Sequence, residues 1–180
     1  KSNIFIKNLE IASHVVNDIF NDSNFPDLNG DLLINCLESF KMPPGRGEIL
    51  SLNKFKIIDD SYNANPESVK AALDHLSCFK KYRKFFVFGD MKELGDNEES
   101  FHSEIGQYAD GKTDILFTIG KLAKNAQSNS NNFALSLHFN DNFSLLEKLT
   151  ELLTDGDIIL IKGSRSMQLD QLIDELKNVK

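Results

Sequence analysis

Residues 55–73 read FKIIDDSYNANPESVKAAL, a strand, a polar turn and a helix start in direct succession. FKIID (55–59) is a short apolar run of strand length. DSYNANP (60–66) follows, and its asparagines and proline end a strand. Asn65 is a natural N-cap, Pro66 suits the first helical position, and Glu67 complements the positive end of the helix dipole. Val69, Leu73, Leu76 and Phe79 then recur three or four apart, which predicts a helix over 66–82 with one apolar face.

The same rhythm extends in both directions. EILSL (48–52), FFVF (85–88), DILFTI (114–119), FALSL (133–137) and DIILI (157–161) are strand-like, and helical stretches fall near 97–109, 120–127, 141–153 and 165–178. This alternation predicts an α/β, Rossmann-like fold: a largely parallel sheet with helices on both faces. Upstream, 9–20 and 30–40 carry apolar residues at helical spacing and predict a short helical segment ahead of the sheet. KMPPGRG (41–47) breaks any helix and marks a domain boundary, dividing the chain into 1–46 and 47–180.

Composition sets outer limits. At 180 residues, 41% hydrophobic and 26% charged, the chain is of ordinary globular type. It is long enough to bury about 70% of its unfolded surface without disulfides or metals. The net charge of −7 argues against a nucleic-acid partner, because phosphate binding calls for a basic face. No apolar run reaches the length of a membrane span and no signal peptide is evident, so the expected location is the cytoplasm. Cys36 and Cys78 lie far apart and are expected as buried free thiols. The first residue is Lys1 rather than methionine, and the expectation is a piece of a longer protein.

GQYADGKT (106–113) spells G-x-x-x-x-G-K-[ST], the phosphate-binding loop of many nucleoside triphosphatases. That loop works where a strand delivers the chain to a turn that opens a helix. Here the order is reversed. EESFHSEIGQYA (98–109) reads as helix before the motif, and DILFTI reads as strand after it. Gly111 is better explained as a helix C-cap, with Lys112 near the negative helix end. The match is accidental.

In open parallel sheets, ligands bind beyond the carboxyl ends of the strands. Three connections leave those ends: DSYNANP (60–66), GDMKELG (89–95) and KGSRSM (162–167). In the first, Asp60 suits a ribose hydroxyl or a metal-bound water, with Asn63 and Asn65 as further donors. Turn formation and capping are the competing reading, favoured for Asn65 and evenly matched for Asp60. In the third, Lys162, Ser164, Arg165 and Ser166 open the last helix and suit a carboxylate. The competing reading is N-capping by Ser164 with a solvated arginine. GDMKELG reads equally as a loop and cap, with Asp90 as a free acidic group and Gly95 ending a turn. His14, His75, His102 and His138 have no metal-ligand spacing, and no nucleophile–base arrangement is evident.

GRGEI (45–49), IIDDSYNANPESVKAAL (57–73), VFGDMKELG (87–95), FHSEIG (101–106) and IKGSRSM (161–167), in this order, resemble the Mur ligase family. Within it, DDSYNANP and GDMKELG resemble the branch that joins D-Ala-D-Ala to UDP-MurNAc-tripeptide in peptidoglycan precursor synthesis. The resemblance covers most of 45–167. It implies a C-terminal domain over 47–180 and, over 1–46, the end of a central ATP-binding domain with its hinge. The family's own phosphate-binding loop would lie ahead of Lys1, so this part alone is expected to be inactive.

The implied reaction is an ATP-dependent carboxylate–amine ligation through an acyl phosphate, with Mg2+ bound mainly by the central domain. By resemblance, Arg46, Asp60 and Asn63 reach the nucleotide, and Lys162, Ser164, Arg165 and Ser166 line the D-Ala-D-Ala side. His102 and Glu93 match family positions without an assigned role. One departure concerns a histidine–asparagine pair that the family carries ahead of a further asparagine. Here Ile4 and Phe5 stand where the pair would, ahead of Asn8. Two other readings stay open: a sister amino-acid-adding or folylpolyglutamate-type ligase, and a stand-alone Rossmann-like binding module.

Overall fold

The computed structural model describes residues 12, 14, 43–127 and 132–179. The expectations for Ile4, Phe5, Asn8, Cys36 and the helices at 9–20 and 30–40 lie outside these residues, except that Ala12 and His14 are helical and exposed. The chain divides into two compact units, Lys1–Met42 and Pro43–Lys180. The boundary expected from the sequence is 46/47. Residues 43–46 join the second unit because the Gly45 N–H donates to Asp59 Oδ2 (3.2 Å) and the Gly45 carbonyl accepts from the Tyr62 N–H (3.0 Å).

Ten regular elements build the described part of that unit. They are β1 (Glu48–Ser51), β2 (Phe55–Asp60), α1 (Pro66–Ser77), β3 (Arg83–Gly89), α2 (Glu98–Ala109), β4 (Ile115–Ile119), β5 (Leu135–Phe139), α3 (Asn142–Leu152), β6 (Asp157–Lys162) and α4 (Leu169–Lys177). The six strands form one sheet in the order β1-β2-β6-β3-β4-β5. Only the edge pair β1–β2 is antiparallel; the other four pairings are parallel.

Burial explains which segments took the middle. FFVF (85–88) and, after Asp157, IILI (158–161) are apolar throughout, with no polar face to turn to water, and a parallel strand covered on both sides needs that pattern. In β3 and β6 the even and odd positions feed two separate cores. Phe86, Phe88, Ile158 and Leu160 pack under Val69, Leu73 and Leu76 of α1 and Ile105 of α2. Phe85, Val87, Ile159 and Ile161 pack under Leu145 and Leu149 of α3 and Leu172, Ile173 and Leu176 of α4.

The winding follows from these faces. From β2 to β3, β4 and β5 the chain steps across the sheet with α1, α2 and a 3-10 turn (Ala123–Gln127) on one face. It then returns through α3 on the other face, and β6 slots between β2 and β3. The carboxyl end of β6 therefore lies between those of β2 and β3, at a switch in winding direction. Open α/β sheets bind ligands at such a point.

The expected helix 66–82 stops at Ser77. Phe79 and Tyr82 lie beyond it, packed against the α1 side of the core with their rings 6.0 Å apart. The Asn65 cap is as expected: its side chain accepts the Ser68 N–H (2.8 Å), and the Ser68 hydroxyl accepts the Asn65 N–H (3.1 Å). The expected helix at 120–127 is only the 3-10 turn, and β5 starts two residues later than expected, where Leu135 pairs with Ile115. Cys78 is exposed at the end of α1 rather than buried.

Candidate functional site

The strand β2 ends in two aspartates that face different ways. Asp59 is buried, and its Oδ1 accepts the Ser61 hydroxyl (2.7 Å) and N–H (3.2 Å), while Oδ2 takes the Gly45 N–H. Asp59 thus ties the 43–47 segment to the start of the 60–66 loop. Gly45 has φ +75°, and a Cβ there would come within 3.0 Å of the Tyr62 nitrogen, so the close approach requires glycine. Beside it, the exposed Arg46 lays its guanidinium over the Tyr62 ring, 4.1 Å from the centroid.

Asp60, one residue on, accepts from Lys162 Nζ at 2.6 Å, and the same ammonium donates to the Asn63 carbonyl at 3.0 Å. The Lys162 side chain is 2% exposed and that of Asp60 20% exposed. The resemblance implies that Asp60 and Asn63 reach a nucleotide and Lys162 the other substrate. The structure brings the three into one cluster, because β2 and β6 are neighbours with Asp60 opposite Lys162. Lys162 is therefore a bracket between two loops, with its charge consumed inside the protein. The Asn63 side chain is exposed.

The 162–168 connection differs from expectation. Its helix opens at Leu169, not at 165, because Gln168 adopts a left-handed conformation (φ +52°) that separates α4 from a 3-10 turn, Arg165–Met167. Ser164 makes no capping hydrogen bond. Its hydroxyl lies 2.9 Å from that of Ser166, and its N–H donates to the Asp90 carbonyl (2.8 Å). Ser164 is buried, whereas Arg165 and Ser166 are exposed, and Arg165 pairs with Asp170 at 2.8 Å. Met167 is braced from α3, its carbonyl accepting from Asn142 Nδ2 at 3.4 Å.

Asp90 is not the free acidic group that one sequence reading allowed. It is buried, and its Oδ1 accepts the Leu122 (2.9 Å) and Ala123 (2.8 Å) N–H groups, capping the 3-10 turn after β4. A Cβ on Gly120 would lie 2.4 Å from that carboxylate. His102, without a role from the sequence, is fully buried on α2. Its Nε2 accepts the Met91 N–H (2.8 Å) and its Nδ1 lies 2.6 Å from the Glu98 carbonyl, so Nδ1 carries the proton and the ring is neutral. Burial holds the imidazole below its ordinary value of 6.5. Glu93 stands in the same loop at φ +63°.

The GQYADGKT segment is structural. Gly106 sits inside α2 against the backbone of Ala126, Gly111 turns the chain at φ +71°, and Lys112 pairs with Asp74. A shallow depression of about 660 Å³ lies elsewhere, between β5 and α3, lined by Phe139, Ser144, Glu147, Lys148, Thr150 and Glu151. It carries none of the residues described above. Among the described residues no group of three or more His, Cys, Asp or Glu could hold a metal ion, and Asp60 is committed to Lys162.

Residues 45–165 match the family description "Mur ligase, glutamate ligase domain". The chain belongs to the Mur ligase family. A curated Mur ligase of Bacillus subtilis, UDP-N-acetylmuramoyl-tripeptide--D-alanyl-D-alanine ligase, is 37% identical over 147 residues, 78% of this chain and 32% of the relative. The solved structure of MurF ligase from Thermotoga maritima in complex with ADP is 28% identical. It superposes with a TM-score of 0.71 over 81% of this chain and 33% of its own. Folylpolyglutamate synthase from Thermotoga maritima, at 19% identity and a TM-score of 0.57 over 86% of this chain and 35% of its own, shares the fold alone. The chain spans about a third of the length of the relatives it matches. Within that third, the Mur ligase loops after β2, β3 and β6 are the ones the sheet gathers at its switch point.

Sequence reasoning missed Asp59 and the framework role of Lys162. Asp59 had a legible signal: it continues the Phe55, Ile57 alternation onto a covered face of β2. Lys162 had none, since its partner lies 102 positions away.

Proposed function

We propose that this chain is the C-terminal part of an ATP-dependent ligase that joins D-Ala-D-Ala to UDP-MurNAc-tripeptide in the cytoplasm, for peptidoglycan precursor synthesis. Residues 1–46 are read as the end of the central ATP-binding domain and the hinge. The carrying observation is the Lys162–Asp60 pair, which locks the loop after β2 to the loop after β6 in a chain whose curated relative bears that ligase name. ATP, as substrate, supplies the phosphoryl group that activates the tripeptide carboxylate as an acyl phosphate. The dipeptide amine then attacks the carbonyl carbon and phosphate leaves.

The division of labour follows exposure. Arg46 and Asn63 are exposed and Asp60 is partly open, and these three are read as the nucleotide side. Arg165 and Ser166 face solvent on the other loop and are read as contacts for the dipeptide, Arg165 exchanging Asp170 for the substrate carboxylate. Buried Lys162 ties the end of β6 to the loop after β2, and buried Ser164 ties the same connection to the loop after β3. Such a site works by positioning and charge rather than by a nucleophile of its own. The described residues form no cluster of metal ligands, and Mg2+ is read as held mainly by the central domain.

A titration of amide spectra of the 180-residue chain tests the reading. D-Ala-D-Ala at millimolar concentration is expected to shift residues 163–167, and L-Ala-L-Ala is expected to leave them in place. Equal response to both dipeptides, or shifts confined to other loops, would overturn the assignment.

A further inference from the structure

His102 touches none of the residues assigned to substrates, yet it is the fixed point of a chain of hydrogen bonds that ends among them. From α2 its Nε2 takes the Met91 N–H (2.8 Å). Met91 follows Asp90, whose carbonyl takes the Ser164 N–H (2.8 Å) and whose carboxylate takes two N–H groups after β4. Ser164 leads into the turn that carries Arg165 and Ser166. At the base of the same two loops, Gly89 and Gly163 pack so closely that a Cβ on Gly163 would sit 3.0 Å from the Gly89 Cα. A shift of the β3 loop therefore moves the β6 loop with it.

We propose that His102 is a positioning residue: its neutral imidazole holds Met91 and, through Asp90, sets where Ser164 and the following turn lie. This rests on the reading of that turn as the dipeptide side. The ring has only one arrangement that satisfies both neighbours. Nδ1–H must donate to the Glu98 carbonyl, so Nε2 must accept. Protonation at Nε2 would put two N–H donors face to face and release Met91. The charged groups around the ring are Asp90 and Glu98, which favour its protonation, and Lys92, which opposes it. Phe88, 5.5 Å away centroid to centroid, adds an apolar wall that disfavours charge.

The test follows the amides of Met91 and Ser164 in the 180-residue chain from pH 7.5 to 5.0. Both are expected to titrate with the midpoint of the His102 ring. In His102→Gln, whose carboxamide oxygen can accept from Met91 at any pH, both are expected to stay flat, which separates His102 from His75 and His138. A Met91 amide that moves while Ser164 stays still would overturn the coupling. So would persistence of both shifts in His102→Gln. In the second arm, D-Ala-D-Ala is expected to bind a few-fold more weakly at pH 5.5 than at 7.5, the held-down imidazole being only partly protonated there, and His102→Gln to remove that difference. Absence of dipeptide binding at every pH would sink the ligand assignment, while the amide titration would still decide the role of His102.

Discussion

Lys162 shows how a residue can be legible by type while its partners are not. Its ammonium is 2% exposed, within 2.6 Å of Asp60 and 3.0 Å of the Asn63 carbonyl. Removing Asp60's charge strands that cation, and an unpaired buried charge costs about 3–5 kcal/mol. Asp60→Asn is therefore expected to be severely destabilising. Lys162→Met leaves a carboxylate that is already 20% exposed and reachable by water, so its cost is expected to be smaller, about 1–3 kcal/mol. The double variant is expected to recover much of the loss, because no stranded charge remains. Urea unfolding of all four proteins measures this cycle, and costs that simply add would mean that the two charges do not depend on each other. The sequence displayed both residues as candidates for ligand chemistry. It could not display their pairing, which depends on β6 being placed between β2 and β3.

Elements tell a different story, because their signals are local. The β2–α1 unit was legible from the Asn65 cap, Pro66 and the apolar spacing, all within a few residues of one another. Legibility ended where a distant contact decided the boundary. Nothing near 165 announces that Gln168 will turn left-handed and delay α4. Likewise, α1 stops at Ser77 because Phe79 and Tyr82 are drawn onto the core. Gly106 is the sharpest case. The spelling offered it as a phosphate-loop glycine, whereas it lets α2 lie on the turn 123–127, where a Cβ would fall 1.9 Å from the Ala126 carbonyl oxygen. Alanine normally strengthens a helix interior by up to about 1 kcal/mol over glycine. Here the obstacle is backbone, which cannot rotate aside, and overpacking costs about 1–3 kcal/mol or more. Gly106→Ala is expected to lower stability by about 1–2 kcal/mol on that balance, measurable as a fall in the urea midpoint. An unchanged or raised midpoint would mean that α2 and the turn are free to separate.

For the molecule as a whole, pH is the variable that reaches several of these contacts together. His75, His102 and His138 are all held below the ordinary value of 6.5, in each case chiefly by burial. Between the folded value and 6.5 the unfolded chain binds more protons than the native one, so stability rises with pH across that window. The contribution is fully present above about pH 6.5 and is lost as pH falls through the folded values. One effect works against this, and a second lies mostly outside the window. The net charge of −7 becomes less negative on acidification, which relieves self-repulsion. Carboxylates would also begin to protonate, but mostly nearer their ordinary range around pH 4. Between pH 7.5 and 5.5 the histidines are therefore the groups that change, and the charge relief is spread over the surface and screened by salt. The urea midpoint is expected to fall steadily from pH 7 to pH 5.5 at 0.15 M salt, and His102→Gln is expected to flatten the slope, since it removes the most deeply buried of the three. A midpoint that holds constant, or rises, over this range would mean that the imidazoles are protonated without loss of their contacts, and the His102–Met91 hydrogen bond would then be no constraint on the loop it spans.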